Sequence, residues 1–157
     1  LREASPKCVS LLAVSGNGRL LLGLYEKGRL IKCYEREGKT SEILPGLLEE
    51  ILTLYRIDAL YYAKGPGSFM ALKILYVTLK TLSLALNVPF FAADAFAFND
   101  GAPIRAVGRS CFVKKEGNIT IAKGEACAGE GRFALPERLD EVVFDTKTEP
   151  MYVLPAV

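Results

Sequence analysis

The sequence predicts an α/β fold in which a mixed five-stranded sheet carries helices and a small, reduced second lobe follows. Three observations point there. Short apolar runs separated by Gly-containing turns open the chain, helical spacing takes over near residue 43, and strand and helix then alternate as far as residue 93. The resulting order, β-β-β-α-β-α-β, is an antiparallel meander to which two strand–helix–strand crossovers append parallel strands.

The first strand, Val9 to Val14, ends at Ser15-Gly16-Asn17-Gly18, a strong hairpin signal. Leu20 to Tyr25 is the second strand, Lys27-Gly28 the next turn, and Leu30 to Glu35 the third strand. Ile43, Leu44, Leu47, Leu48, Ile51, Leu52 and Tyr55 then recur at helical spacing, with Thr40 or Ser41 as N-cap. Pro45 is tolerated only near a first turn, so this helix begins close to Ser41. Asp58 to Ala63 is the fourth strand, ended by Gly65-Pro66-Gly67. A long helix runs from Ser68 to Leu86 and stops at Asn87 and Pro89, and Val88 to Ala93 is a buried fifth strand. The turn residues Asn99 to Pro103 divide a lobe of residues 1–100 from one of 101–157. In the latter we expect a strand at Ile104–Val107, a hairpin of Cys111–Lys115 and Ile119–Lys123, and a loop over Gly124–Gly131. A short helix at Leu135–Val143 and a closing strand at Met151–Leu154 complete the expectation.

Composition removes several chemistries. The 157 residues contain no histidine, which excludes Ser-His-Asp and Cys-His hydrolases and every His-ligated metal site. A net charge of +2 argues against a dedicated nucleic-acid scaffold. Cys8, Cys33, Cys111 and Cys127 have no CxxC spacing, and buried free thiols are expected rather than disulfides. The uncharged stretch Thr81 to Ala93 is shorter than the roughly 20 residues a membrane span requires, and no signal pattern opens the chain. A cytoplasmic protein without a membrane segment is the expectation.

Lys64-Gly65-Pro66-Gly67-Ser68-Phe69, set between a strand and a helix, is the most specific local feature. Glycines at a helix start let N–H groups face an anion, but no Gly-Lys-Ser/Thr closes this loop as in a Walker A motif. The plainer reading is a tight turn with Ser68 as N-cap. Gly67 is expected to need positive φ or close backbone approach.

Gly65-Pro66-Gly67-Ser68-Phe69, with the apolar helix behind it and then Asn87-Val88-Pro89, resembles the signature of the TsaB (YeaZ) family. Ile43-Leu44-Pro45 and Ile51-Leu52 resemble that family's first helix, and Pro150-Met151-Tyr152-Val153-Leu154 its C-terminal strand. The resemblance implies an actin-like ATPase (ASKHA, ribonuclease H-like) fold and a role in threonylcarbamoyladenosine synthesis at position 37 of tRNA. It implies a non-catalytic subunit with no catalytic residue, metal or cofactor of its own, so that any nucleotide sits at an interface of the complex. The implied partners are a TsaD-like transferase and a TsaE-like ATPase, with a homodimer when the chain is alone and only indirect or weak contact with tRNA. The chain departs from the family where Ala71 and Leu75 replace glycines, and where Ser15 stands at the end of the first strand in place of the superfamily's metal-organising Asp. The rival reading is a small-molecule kinase or ATPase of the same superfamily, with Gly65 to Ser68 as its phosphate loop.

The long helix is apolar around nearly its whole circumference, so it needs cover on two sides. Either the first helix and the second lobe supply it, or a partner does. The resemblance favours a partner, and the expected interface is Leu44, Leu47, Leu48 and Ile51 of the first helix with Phe69, Met70, Leu72, Lys73 and Tyr76 of the second. Two further features have plain readings beside sharper ones. Lys27, Arg29, Lys32, Arg36 and Lys39 form a solvated edge or a strip facing phosphates, and Asp94 is a helix N-cap or a ligand contact.

Overall fold

The computed structural model describes residues 6–106, 108–129 and 131–152. Strands β1 (Lys7–Gly16), β2 (Arg19–Glu26) and β3 (Arg29–Glu37) form the meander. Asn17 and Gly18 both take positive φ (53° and 73°), the left-handed pair that a two-residue hairpin turn requires. Helix α1 (Thr40–Leu54), strand β4 (Tyr55–Ala63), helix α2 (Phe69–Leu86) and strand β5 (Phe90–Ala93) follow. The sheet order is β3-β2-β1-β4-β5, with β4 and β5 parallel to β1 and its neighbour respectively and the meander antiparallel. This is the mixed five-stranded sheet the sequence predicts.

Side chains alternate across the sheet, and both faces are buried. Leu11 and Ala13, Leu20, Leu22 and Leu24, and Leu60 and Tyr62 face α1 and α2 in one core. Leu12 and Val14, Leu21 and Tyr25, and Ala63 and Ala93 point the other way into a second core. That double burial is why the strands read as near-continuous apolar runs. Leu75 is fully buried between the helices and the sheet.

The second core is closed by residues after 93. A 3-10 turn (Ala95–Phe98) supplies Phe96 and Phe98, and a three-stranded sheet, β6 (Ile104–Arg105), β7 (Ser110–Lys115) and β8 (Asn118–Lys123), supplies Ile104 and Phe112. Phe133 comes from the chain beyond. Residues after 100 thus build a separate sheet while sharing the first sheet's core.

Several expectations are corrected here. The helix expected at Leu135–Val143 is only a 3-10 turn at Leu139–Glu141. The backbone there bonds instead to the β2–β3 connection, with Leu30 N–H donating to Glu137 C=O (2.8 Å) and Leu139 N–H to Gly28 C=O (2.9 Å). Pro136 also removes a helical donor. Leu135, Leu139, Val142 and Phe144 still pack on the second core, from a largely extended chain. Lys39, without a side-chain cap bond, precedes α1, so neither Thr40 nor Ser41 is the cap. The strand expected at Ile104–Val107 is shorter, and Val107 lies outside the described residues. Of the closing strand, Met151 and Tyr152 are not in a strand, and Val153 and Leu154 lie outside the described residues.

The cysteines also differ from expectation. Cys111 on β7 and Cys127 at the end of a 3-10 turn (Gly124–Cys127) form a disulfide, with Cα atoms 5.6 Å apart. The β7–β8 hairpin folds the two together across a separation of 16 residues, which no local spacing motif announces. The free thiols are Cys8 and Cys33, and both are exposed rather than buried.

From Phe144 the chain becomes a strap along the outer edge of the sheet. Asp145 exchanges two backbone hydrogen bonds with Ala92 of β5 (2.9 and 2.8 Å), Tyr62 donates its hydroxyl to Thr148 C=O, and Met151 N–H donates to Lys64 C=O (2.7 Å). Burial holds the Tyr62 and Tyr25 phenols protonated far above the ordinary tyrosine range.

Helix α2 is long and apolar enough, by length and composition, to cross a membrane, with mean hydropathy 1.6. In this fold it is the crossover between the adjacent parallel strands β4 and β5, and it lies on the sheet through Leu72, Leu75 and Leu79.

Candidate functional site

The carboxyl ends of the parallel strands β1 and β4 open onto a cleft of about 490 Å³, the usual place for a ligand in such sheets. One wall is the β1–β2 turn, Ser15 to Asn17, and the second is the loop Pro66 to Phe69 that starts α2. The third comes from the small sheet, through Ile104, Ser110, Phe112 and Ile121. The motif loop singled out in the sequence therefore does line a cavity.

Its chemistry is restrained. Among the described lining residues none is Asp or Glu, and Ser15 occupies the end of β1 where an acid would hold a metal. Lys64 turns away from the cleft: its ammonium donates to Lys147 C=O (2.7 Å) and pairs with Asp145 (3.4 Å) on the strap. Ser68 is the N-cap of α2, accepting from Ala71 N–H at 3.4 Å. Asp94 likewise proves to be a cap, accepting from Phe96 N–H (3.0 Å) while paired with Lys114 (2.5 Å). Asp58 accepts from Ser10 Oγ (2.7 Å). The free thiols are raised above the ordinary cysteine value, both chiefly by desolvation, Cys8 also by Asp58 and Cys33 also by Glu35.

The glycine expected to be constrained is the wrong one of the pair. Gly65 has φ +107°, and a Cβ there would meet Leu72 Cδ1 at 2.7 Å and Met151 C=O at 3.1 Å. A Cβ at Gly67 would meet nothing within 4 Å, and its φ lies outside the left-handed region. Gly65→Val should therefore cost about 1–3 kcal/mol through backbone strain alone, with the clash added, while Gly67→Val leaves the melting temperature unchanged. Equal melting temperatures for the two variants would refute this assignment.

On the other side of α2, the expected interface residues divide. Leu44, Leu47, Leu48, Ile51 and Leu72 are buried in the chain's own core, Leu72 being 2% exposed, and are closed to a partner. Phe69, Met70 (66% exposed) and Lys73 face outward, and Tyr76 is half-buried. Val77 (53%) and Leu84 (71%) on α2 are exposed as well, as are Leu52 and Leu54 on α1, although none of the four is among the interface residues expected from the sequence. Tyr152 of the strap packs its ring edge-on against Phe69, with centroids 5.2 Å apart.

The basic run lies on and around the edge strand β3, where Arg36 stands between Glu35 and Glu37 and the Lys32 ammonium lies over the Tyr34 ring, 4.9 Å from its centroid. Across the β2–β3 ladder, Arg19 pairs with Glu35 and Glu37, each at 3.1 Å.

Among solved structures, YeaZ from Pseudomonas aeruginosa superposes with a TM-score of 0.57 at 18% sequence identity, covering 74% of this chain and 65% of that one. The chain has a YeaZ-like fold. A second Pseudomonas aeruginosa structure, of an uncharacterized protein with similarity to peptidase YEAZ, gives a TM-score of 0.52 at 19% identity, covering 74% of this chain and 64% of that one. The chain thus spans just under two thirds of the length of either YeaZ-like structure. The YeaZ-like fold is of the actin-like class, here built as a mixed five-stranded sheet with helices. A family model, TsaD: tRNA N6-adenosine threonylcarbamoyltransferase, matches residues 40–96, the segment from α1 to just past β5. No curated protein sequence matches the chain.

Proposed function

We propose that this chain is a TsaB-type subunit in the threonylcarbamoyl modification of tRNA, and that it performs no chemistry itself. The observation that carries this reading is the family match over residues 40–96, which falls on the two helices whose outer side is left apolar. An exposed apolar stripe of this extent on a soluble fold marks an association surface. The partner is a TsaD-like transferase, with a TsaE-like ATPase as a further component. A homodimer forms when the partner is missing, and tRNA is met indirectly.

Charge supports the helix pairing. The exposed side of α1 carries Glu42, Glu49 and Glu50, whereas that of α2 carries Lys73 and Lys80. Acid on one helix and base on the other suits a two-fold arrangement in which each α1 lies on the opposite α2. In this role the protein is cytoplasmic, and the near-complete burial of Cys111 would shield its disulfide from cellular thiols. A kinase or ATPase of the superfamily has the cleft in its favour, but no carboxylate among the described lining residues to anchor a metal.

The test is co-expression with the TsaD-like protein of the same source, followed by purification through a tag on this chain. A stoichiometric complex is expected, together with restored threonylcarbamoyladenosine at tRNA position 37 in cells lacking their own TsaB. A chain that purifies alone and restores nothing would defeat the proposal.

A further inference from the structure

The cleft at the ends of β1 and β4 has a size and lining that select a ligand class. At about 490 Å³ it falls within the range of small-molecule sites. Its walls are apolar: the half-exposed Phe69 ring on one side, and Ile104, Phe112 and Ile121 on the other. Around them stand neutral groups, the hydroxyls of Ser15, Ser68 and Ser110 and the amide of Asn17. Each hydroxyl can donate or accept, which suits ring heteroatoms and sugar hydroxyls equally.

The same lining is poorly furnished for phosphate. Arg105 is the one charged residue among the described lining, and it already has an interaction of its own. Lys64 is held by the strap, and the Ala71 N–H at the start of α2 is taken by Ser68 Oγ. A triphosphate carries several negative charges and a divalent ion that needs oxygen ligands, and a site for it supplies both cations and carboxylates.

We propose that this cleft binds an uncharged, flat heteroaromatic molecule of nucleoside size, and that phosphate and metal add nothing to its affinity. The ring lies against Phe69, and the serine rim meets its polar edge. The inference goes beyond the pairing role: Phe69 belongs both to the cleft wall and to the outward face of α2, but Met70, Val77 and Leu84 of the outer stripe do not line the cleft.

The full chain is titrated with adenosine, guanosine, cytidine and uridine, and separately with ATP in the presence of Mg²⁺, followed by saturation-transfer NMR and calorimetry. At least one nucleoside should bind, with ATP and Mg²⁺ no tighter. Gly67→Trp, at a position with open space around it, should weaken nucleoside binding by about tenfold or more while the circular dichroism melt stays unchanged. Ser110→Leu narrows the facing wall and serves if the tryptophan variant does not fold. Met70→Glu, outside the cleft, should bind as the parent does. Binding of ATP and Mg²⁺ about tenfold tighter than the nucleoside would make this a phosphate site and overturn the proposal. So would the failure of all four nucleosides, or binding that survives both cleft variants.

Discussion

Glutamate at Met70 and Val77 together should dissociate the chain from the TsaD-like partner proposed above, and from a second copy of itself, with the fold intact. Both side chains stand mostly in solvent, at 66% and 53% exposure, so the free protein loses little when they become charged. In a helix-to-helix interface the same carboxylates would be desolvated without partners, a cost of several kcal/mol each. Sedimentation and tagged co-purification should show loss of the complex, and circular dichroism should show an unchanged melt. Leu72 cannot serve in this experiment: it is 2% exposed, so a charge there would unfold the chain and say nothing about association. A folded double variant that still pairs as the parent does would place the interface elsewhere.

Phe133→Ala is expected to be the most damaging truncation on the other side of the sheet. The ring is 7% exposed, belongs to the second core, and fills the space beside Gly16 so closely that a Cβ on that glycine would collide with it. Removing a buried phenyl group costs about 3–5 kcal/mol, a large part of the stability of a single domain. Urea unfolding should show the midpoint fall with little change in slope. Because Gly16 lines the cleft, the variant should also lose whatever the cleft holds. A loss below about 1 kcal/mol would mean that the site collapses to fill the void.

Much of the fold could be read from the sequence because its local signals agree with its packing. The hairpin turn at Asn17-Gly18, the helical spacing from Ile43 to Ile51 and the breaker at Asn87 each name an element that the structure contains. The segment Leu135–Val143 misled for a definite reason. Leu135, Leu139 and Val142 have helix-like spacing, yet they reach the core from an extended chain whose backbone is claimed by Leu30 and Gly28. Cys111 and Cys127 meet only after the β7–β8 hairpin closes, which no local pattern encodes. For the site, the loop Gly65 to Phe69 was legible, but its surroundings were not, since two of the cleft's three walls lie about 50 residues away on either side. The faces of α2 were indistinguishable by composition because both are apolar. Only burial separates Leu72, Leu75 and Leu79 from Met70, Val77 and Leu84.

The shared second core has a consequence for how the molecule comes apart. Its members are drawn from β1 and β2 on one side and from Ile104, Phe112 and Phe133 on the other, so neither group keeps a dry interior without its counterpart. The strap adds a further tie, running from Asp145 at the β5 edge to Met151 beside Gly65. A division that is plain in topology, with two sheets and a turn-rich boundary, is therefore absent from the energetics. Heating should produce one calorimetric endotherm whose van't Hoff and calorimetric enthalpies coincide, the mark of a single cooperative unit.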